Sequence, residues 1–311
     1  MDPTLLVITG PTGIGKTGLS IETALRFGSV VLSADSRQMY REMEIGTARP
    51  TAEQMAAVPH YFIGHLSIHD YYNASRYEEE ALALLGGLFL RHRVVVMTGG
   101  SMMYIDAVRR GIDDLPTVDP AVRKQLLKKF ETEGIESLRF DLLRLDPEYY
   151  HQVDLHNHMR LLHALEICLM TGKPYSAQLT RTPKKREFRI ITWCLDMERE
   201  ALYARINQRV DEMVERGLEE EARRLYPLRS LNALNTVGYR EWFAHFDGKT
   251  SREAAIEEIK SNTRRYARKQ LTWFRRDPTV RWFDMQRAGE FLPLVEKELA
   301  LTAEDIGQNL P

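Results

Sequence analysis

The chain has 311 residues, with 43 lysines and arginines against 44 aspartates and glutamates, a formal net charge of -1. That sum excludes a protein coated in basic residues but leaves open where the charges sit. Hydrophobic residues at 43% and charged residues at 28% are ordinary for a globular protein of one large domain or two smaller ones, and they exclude disorder over most of the length.

Leu5 to Thr9 form a compact apolar run bounded by Gly10 and Pro11, and Leu19, Ala24 and Leu25 then fall at helical spacing. The order is strand, loop, helix. A second run, Val30 to Leu32, ends at Ser33-Ala34-Asp35-Ser36; a helix is predicted at Tyr77 to Leu90; and a third run, Val94 to Met97, ends at Thr98-Gly99-Gly100-Ser101. Short Val-rich runs separated by helices predict a parallel sheet covered on both faces, with its chemistry at the carboxyl ends of strands. Near Leu115-Pro116 the character changes. Asp119-Pro120 and Asp146-Pro147 each place a capping side chain before a proline, and a helix from about Asn157 to Met170 stops at Gly172. Arg189 to Leu195 resumes strand composition, and from Glu198 an apolar stripe runs through Leu202, Ile206, Val210, Met213 and Leu218.

Neither a disulfide framework nor a zinc ribbon is expected from Cys168 and Cys194, which lack a short paired spacing. The N-terminus has no basic region before its short apolar run, and no segment nears the about 18 apolar residues of a membrane span, so a cytoplasmic protein is expected.

Gly10-Pro11-Thr12-Gly13-Ile14-Gly15-Lys16-Thr17 matches the G-x-x-x-x-G-K-[ST] phosphate loop in its strand-to-helix context. Glycines allow backbone amides to curl around phosphate oxygens, the helix N-terminus adds partial positive charge, Lys16 is a point charge, and Thr17 can bind magnesium. The motif is silent on the reaction. A nucleoside triphosphate or a pyrophosphate ester suits the same cradle, and the run at 94–97 ends without the carboxylate an ATPase would need. The fold class expected is α/β: a P-loop NTPase-like parallel sheet core with helices on both faces, formed by 1-117 and 188-311, carrying an all-helical insertion at 118-187.

The segment Ser33-Ala34-Asp35-Ser36-Arg37-Gln38-Met39-Tyr40, followed by Ile45-Gly46-Thr47-Ala48-Arg49-Pro50, resembles the tRNA dimethylallyltransferase family. Gly99-Gly100-Ser101 with Tyr104, Gly238-Tyr239-Arg240-Glu241 and the run Thr263 through Arg275 are similar to further motifs of that family, in its order. The resemblance implies transfer of a dimethylallyl group from dimethylallyl diphosphate to the exocyclic amine of the adenosine 3′-adjacent to a tRNA anticodon. It makes Asp35 the proton acceptor, and Ser101, Lys16 and Thr17-bound magnesium stabilisers of the leaving diphosphate. It also implies a phosphate-binding arginine, Arg205 or Arg209, with Arg209 the choice. RNA contacts are assigned to Asp35, Ser36, Arg37, Gln38, Arg160, Arg240, Arg264, Arg268, Lys269, Gln270 and Trp273, and a monomer is expected.

The basic C-terminal segment stands without the resemblance. Between Lys260 and Arg281 eight lysines and arginines face a single acid, Asp277, and Tyr266, Trp273 and Phe274 interleave with them, a mixture suited to phosphate contacts and base stacking. Arg181 to Arg186 form a second basic cluster, expected to touch the anticodon stem-loop, with the insertion clamping the stem. Two departures from the family pattern are expected to matter: His163 where a second arginine is usual, and Asn73, which is expected to alter the prenyl pocket. His151, His156, His158 and His163 lack the spacing of a metal site. The alternatives are a P-loop kinase of a nucleoside or small metabolite, a prenyltransferase of free adenine nucleotides, and a non-catalytic RNA-binding module.

Overall fold

The structure, a computed structural model, describes residues 2–304 except 114, 117 and 181, with only the helical course of 301–304. Residue 117, the expected boundary, and Arg181 of the second basic cluster therefore lie outside the described residues. The chain divides into two compact units, 1–109 with 185–311, and 110–184.

The first unit begins with β1 (Thr4–Thr9), α1 (Lys16–Arg26), β2 (Val31–Ser33), α2 (Ala52–Ala57), β3 (His60–Tyr61), α3 (Ala74–Leu88), β4 (Val94–Gly99) and α4 (Met102–Arg110). The second unit holds α5 (Pro120–Glu133), α6 (Ile135–Leu145), α7 (Pro147–Tyr150) and α8 (His158–Thr171). The first then resumes with β5 (Arg189–Asp196), α9 (Arg199–Glu215), α10 (Leu218–Leu225), α11 (Tyr239–Phe246), α12 (Arg252–Phe274), β6 (Arg281–Asp284) and α13 (Phe291–Glu304).

The sheet is parallel in every pairing, in the order β3-β2-β4-β1-β5-β6. Alternation along β1 explains why its run is continuously apolar: Leu5 and Val7 join the cluster under α3 and α4, whereas Leu6 and Ile8 join the one under α1 and α13. Both clusters are fully buried at these positions. β3 and β6 were not expected. β3 has only two residues, and in β6 only Phe283 is buried, so neither makes an apolar run. The stripe after Glu198 also breaks earlier than expected, because Gly217, at φ 96°, ends α9 and caps a separate α10 that begins at Leu218.

The helical unit has its own core of Leu126, Leu138, Leu142, Leu161, Leu162 and Leu165. Asp119 and Asp146 cap α5 and α7, each ahead of a proline. Its limits differ from the expected 118 and 187: Lys184 donates its N–H to the Arg110 carbonyl at 2.6 Å, whereas Arg186 is bound in the first unit by the Val108 and Ala107 carbonyls, both at 2.8 Å.

Candidate active site

At the carboxyl end of β1 the phosphate loop needs left-handed backbone, and Gly13, at φ 81°, supplies it. A Cβ there would come within 3.0 Å of Ile206 Cγ1, so glycine also lets α9 close over the loop. Lys16 Nζ donates to the carbonyls of Gly10 and Pro11 at 2.9 and 2.8 Å. Burial, and then the neighbouring Arg209 guanidinium, lower its pKa to about 8 against the opposing pull of Asp35.

At the end of β2, Asp35 Oδ1 accepts the backbone N–H groups of Arg37 and Gln38 at 2.9 and 3.3 Å, a turn that fixes the carboxylate on its own loop. The end of β4 fits tightly against it: a Cβ on Gly99 would lie on the Ala34 carbonyl. That approach brings Ser101 to Ser36, whose N–H it accepts at 2.8 Å and whose hydroxyl it contacts at 3.1 Å. Tyr266 of α12 reaches the same point, donating to the Gly100 carbonyl at 3.2 Å. Burial and then the charge of Asp35 push its hydroxyl up to about 12. The three strand ends singled out in the sequence thus meet.

Two cavities open here. The larger, about 640 Å³, is lined by Lys16, Arg49, Arg205, Arg209 and Arg216 against only Asp35 and Glu212, with Thr17 in its wall. The smaller, about 280 Å³, has an apolar wall of Ile206, Val210, Met213, Leu218, Val237 and Ile259 facing Asp35, Arg37 and Ser101. Thr12, Asp35, Arg209 and Tyr266 line both. Arg209 Nη1 donates to Thr12 Oγ1 at 3.3 Å, and burial lowers its pKa. Arg205 is exposed beside Gly15 and faces the larger cavity alone, so Arg209 is the more central of the two.

Other sequence-assigned residues occupy different positions. Gln270 is buried, not on a surface: its amide donates to the Gly100 carbonyl at 2.8 Å and accepts the Thr12 N–H at 2.9 Å, clamping the phosphate loop to the end of β4. Trp273 is half-buried against the core with Nε1 donating to Asp106 at 2.7 Å, and Phe274 is fully buried. The aromatic residues of the basic segment therefore face inward, because α12 packs its apolar side against α9, α11 and the core. Arg265, Arg268 and Lys269 face out on α12 and Arg240 on α11, whereas Arg264 donates to Asn207 at 2.6 Å. Gln38 is engaged on its own loop, donating to the Thr47 and Ala48 carbonyls, both at 3.2 Å. Asn73 caps α3 through the Arg76 N–H at 2.9 Å and lines neither cavity.

Within the helical unit Arg160 is exposed on the first turn of α8. His163 lies 3.7 Å from Glu166, which is fully buried and held at both oxygens by Arg123 at 2.7 and 3.2 Å. Sequence reading missed Glu221 and Arg216, and gave Arg49 no role although it stands in a quoted motif. For Glu221 a signal existed: it shares one helical face with Leu218, Ala222 and Leu225, all buried, in a run that otherwise reads as a charged surface.

A parallel sheet with a glycine-rich loop at its first strand end, a carboxylate at the second and a serine at the third defines the class of α/β proteins whose site lies at the carboxyl ends of the strands. A family model described as IPP transferase matches residues 38–277, and the chain belongs to that family. It is 54% identical over 295 residues to "tRNA dimethylallyltransferase 1" of Phocaeicola vulgatus, an alignment covering 95% of this chain and 98% of that protein. To "tRNA dimethylallyltransferase 2" of Parabacteroides distasonis it is 56% identical over 279 residues, covering 90% and 93%. The crystal structure of the full-length tRNA isopentenylpyrophosphate transferase from Bacillus halodurans superposes with a TM-score of 0.72 at 34% identity, covering 99% of this chain and 100% of that one. A eukaryotic dimethylallyltransferase acting on tRNA shares the fold, with a TM-score of 0.80 at 24% identity.

Proposed function

We propose that this chain transfers a dimethylallyl group from dimethylallyl diphosphate to the exocyclic amine of the adenosine 3′-adjacent to the anticodon of tRNA. The observation that carries the reading is the shared wall: Asp35 faces both a strongly cationic cavity and a smaller one with an apolar side. Diphosphate suits the first, where loop amides, Lys16 and Arg209 converge. The five-carbon chain and the adenine suit the second.

In the reaction the amine nitrogen bonds to the allylic carbon while the bond from that carbon to the diphosphate oxygen breaks. The bonding pair leaves with the diphosphate, and the amine proton passes to the Asp35 carboxylate. Lys16 and Arg209 meet the charge that builds on the leaving group, already placed before the reaction begins. Ser101, tied to Ser36, and the un-ionised Tyr266 hydroxyl, tied to the Gly100 carbonyl, form the polar side of the second cavity.

Thr17, in the wall of the larger cavity with Lys16, is the residue that would hold a magnesium ion. Bound there, the ion would add positive charge beside the departing diphosphate. The tRNA substrate places the proposed reaction in the cytoplasm; separately, among the described residues no helix is long and apolar enough to cross a membrane. RNA contacts fall to Arg240, Arg268 and Lys269 in the first unit and to Arg160 in the second. The relatives' names support prenyl transfer over the kinase alternative.

Labelled dimethylallyl diphosphate, offered with unmodified tRNA, AMP or neither, tests the reading. Label is expected in tRNA alone, and Asp35→Asn is expected to lose transfer by at least about 100-fold while binding tRNA as before. Label in AMP but not in tRNA, or a parallel loss of tRNA binding, would overturn it.

A further inference from the structure

Glu221 on α10 is 2% exposed, and among the described residues its carboxylate makes no ion pair. Instead it gathers four neutral donors. Oε2 accepts the N–H groups of Glu44 and Ile45 at 3.0 and 2.9 Å, and Oε1 accepts the Gly46 N–H at 2.9 Å and the Tyr239 hydroxyl at 2.7 Å. Burying a carboxylate without a countercharge is costly, so stability alone is a poor reason for it. Three consecutive backbone amides turned onto one side chain instead specify the course of the loop at 44–46.

That loop continues directly into the cavity walls. Gly46 and Thr47 line the smaller cavity, and Ala48 and Arg49 the larger. The carbonyls of Thr47 and Ala48 hold the Gln38 amide, both at 3.2 Å, and the Gln38 N–H in turn donates to Asp35 at 3.3 Å. Tyr239 adds a second constraint, because a Cβ on Gly46 would come within 2.6 Å of its ring. Glu221 is thus joined to the proton acceptor by an unbroken path of hydrogen bonds and short backbone segments.

We infer that Glu221, supported by Tyr239, is a positioning residue for the transfer reaction: it fixes the loop at 44–46 and, through Gln38, the Asp35 carboxylate. The inference rests on the prenyl-transfer reading. A group placed in this way affects the rate at which bound substrates react more than their binding, since small misplacements of a reacting group are expensive.

Single-turnover transfer to tRNA, with enzyme in excess, separates rate from the fraction of active molecules. For Glu221→Gln, which keeps one accepting oxygen but turns an amide N–H₂ towards backbone donors, the rate constant is expected to fall roughly 10- to 100-fold. The amplitude and the KM for both substrates should stay at wild-type values. Tyr239→Phe keeps the carboxylate and three of its four donors, and should give a smaller fall in rate. A reduced amplitude with an unchanged rate constant would mean that Glu221 only supports folding, and this would overturn the inference, as would wild-type values throughout. Should Glu221→Gln fail to fold, an unchanged rate constant in Tyr239→Phe overturns it equally. Wild-type protein that places no label in tRNA removes the prenyl-transfer reading itself, a result distinct from both.

Discussion

Replacing Gln270 by methionine removes two hydrogen bonds in a buried site while nearly preserving volume. The bond to the Gly100 carbonyl is 2.8 Å and fully buried, and the one from the Thr12 N–H is 2.9 Å and partly so. An orphaned buried group costs about 1–3 kcal/mol. Both values fall at the low end here: the Gly100 carbonyl keeps the Tyr266 hydroxyl at 3.2 Å, and Thr12 borders both cavities, so its N–H regains a partner there. The loss is therefore about 2 kcal/mol, which lowers the melting temperature by about 4–8 °C. Freed from its clamp, the phosphate loop must be ordered by the ligand, and affinity for inorganic pyrophosphate is expected to fall about tenfold, a free energy of about 1.4 kcal/mol. Scanning calorimetry and titration calorimetry with pyrophosphate measure the two effects. The adjacent Lys269, which is exposed, supplies the contrast: Lys269→Ala should leave melting and pyrophosphate binding alone and weaken tRNA binding, with a shallower salt dependence. If Gln270→Met melted like the wild type and lost tRNA affinity as Lys269→Ala does, Gln270 would be an RNA contact and the clamp would be wrong.

Two further outcomes follow from the ionisable groups. Burial holds the pKa of Lys16 down at about 8, and an anionic ligand favours its protonated form, so the ratio of wild-type to Lys16→Arg affinity for pyrophosphate, in which the ligand's own protonation cancels, should be constant below that value and fall as pH rises through it; titrations of both proteins from pH 6.5 to 9.5 check this. Burial alone would raise the carboxyl of Asp277, yet the hydroxyl and N–H of Thr279 and the Arg109 guanidinium hold it at about 2, below its unfolded value of 3.8, so its stabilisation is complete above that value and lost as pH falls towards 2. Asp277→Asn leaves the buried Arg109 with Asp106 at 3.3 Å and Thr279 at 3.1 Å as its remaining partners among the described residues, and about 1–3 kcal/mol of stability should disappear at neutral pH, read by denaturant unfolding.

How much the sequence disclosed depended on whether a constraint was local. The phosphate loop was legible because its glycines answer to backbone geometry within eight residues, and β1 and β4 because strands buried on both faces must be apolar throughout. The edge strands β3 and β6 bury too little to leave such a trace. Asp35 and Ser101 were found at strand ends, but the contact between their loops depends on Gly99 meeting Ala34, some sixty-five residues away in sequence. Gln270 and Glu221 were misread or missed for one reason: a glutamine among arginines and a glutamate among glutamates look solvated, and only packing reveals that each is turned inward onto backbone amides. Tyr266 and Trp273 failed in the opposite sense, since aromatic residues beside basic ones suit RNA stacking and a helix core equally well.

The two cavities share four residues but draw their remaining walls from separate elements: loops at the strand ends grip the charged end, and α9 with the α10 to α12 region shapes the apolar side. With the cavities assigned as proposed, donor length and anchoring are separable variables: trimming Met213 or Ile259 would enlarge the apolar chamber without touching the residues proposed to grip the diphosphate, so a longer isoprenoid donor would need only a few substitutions on two helices.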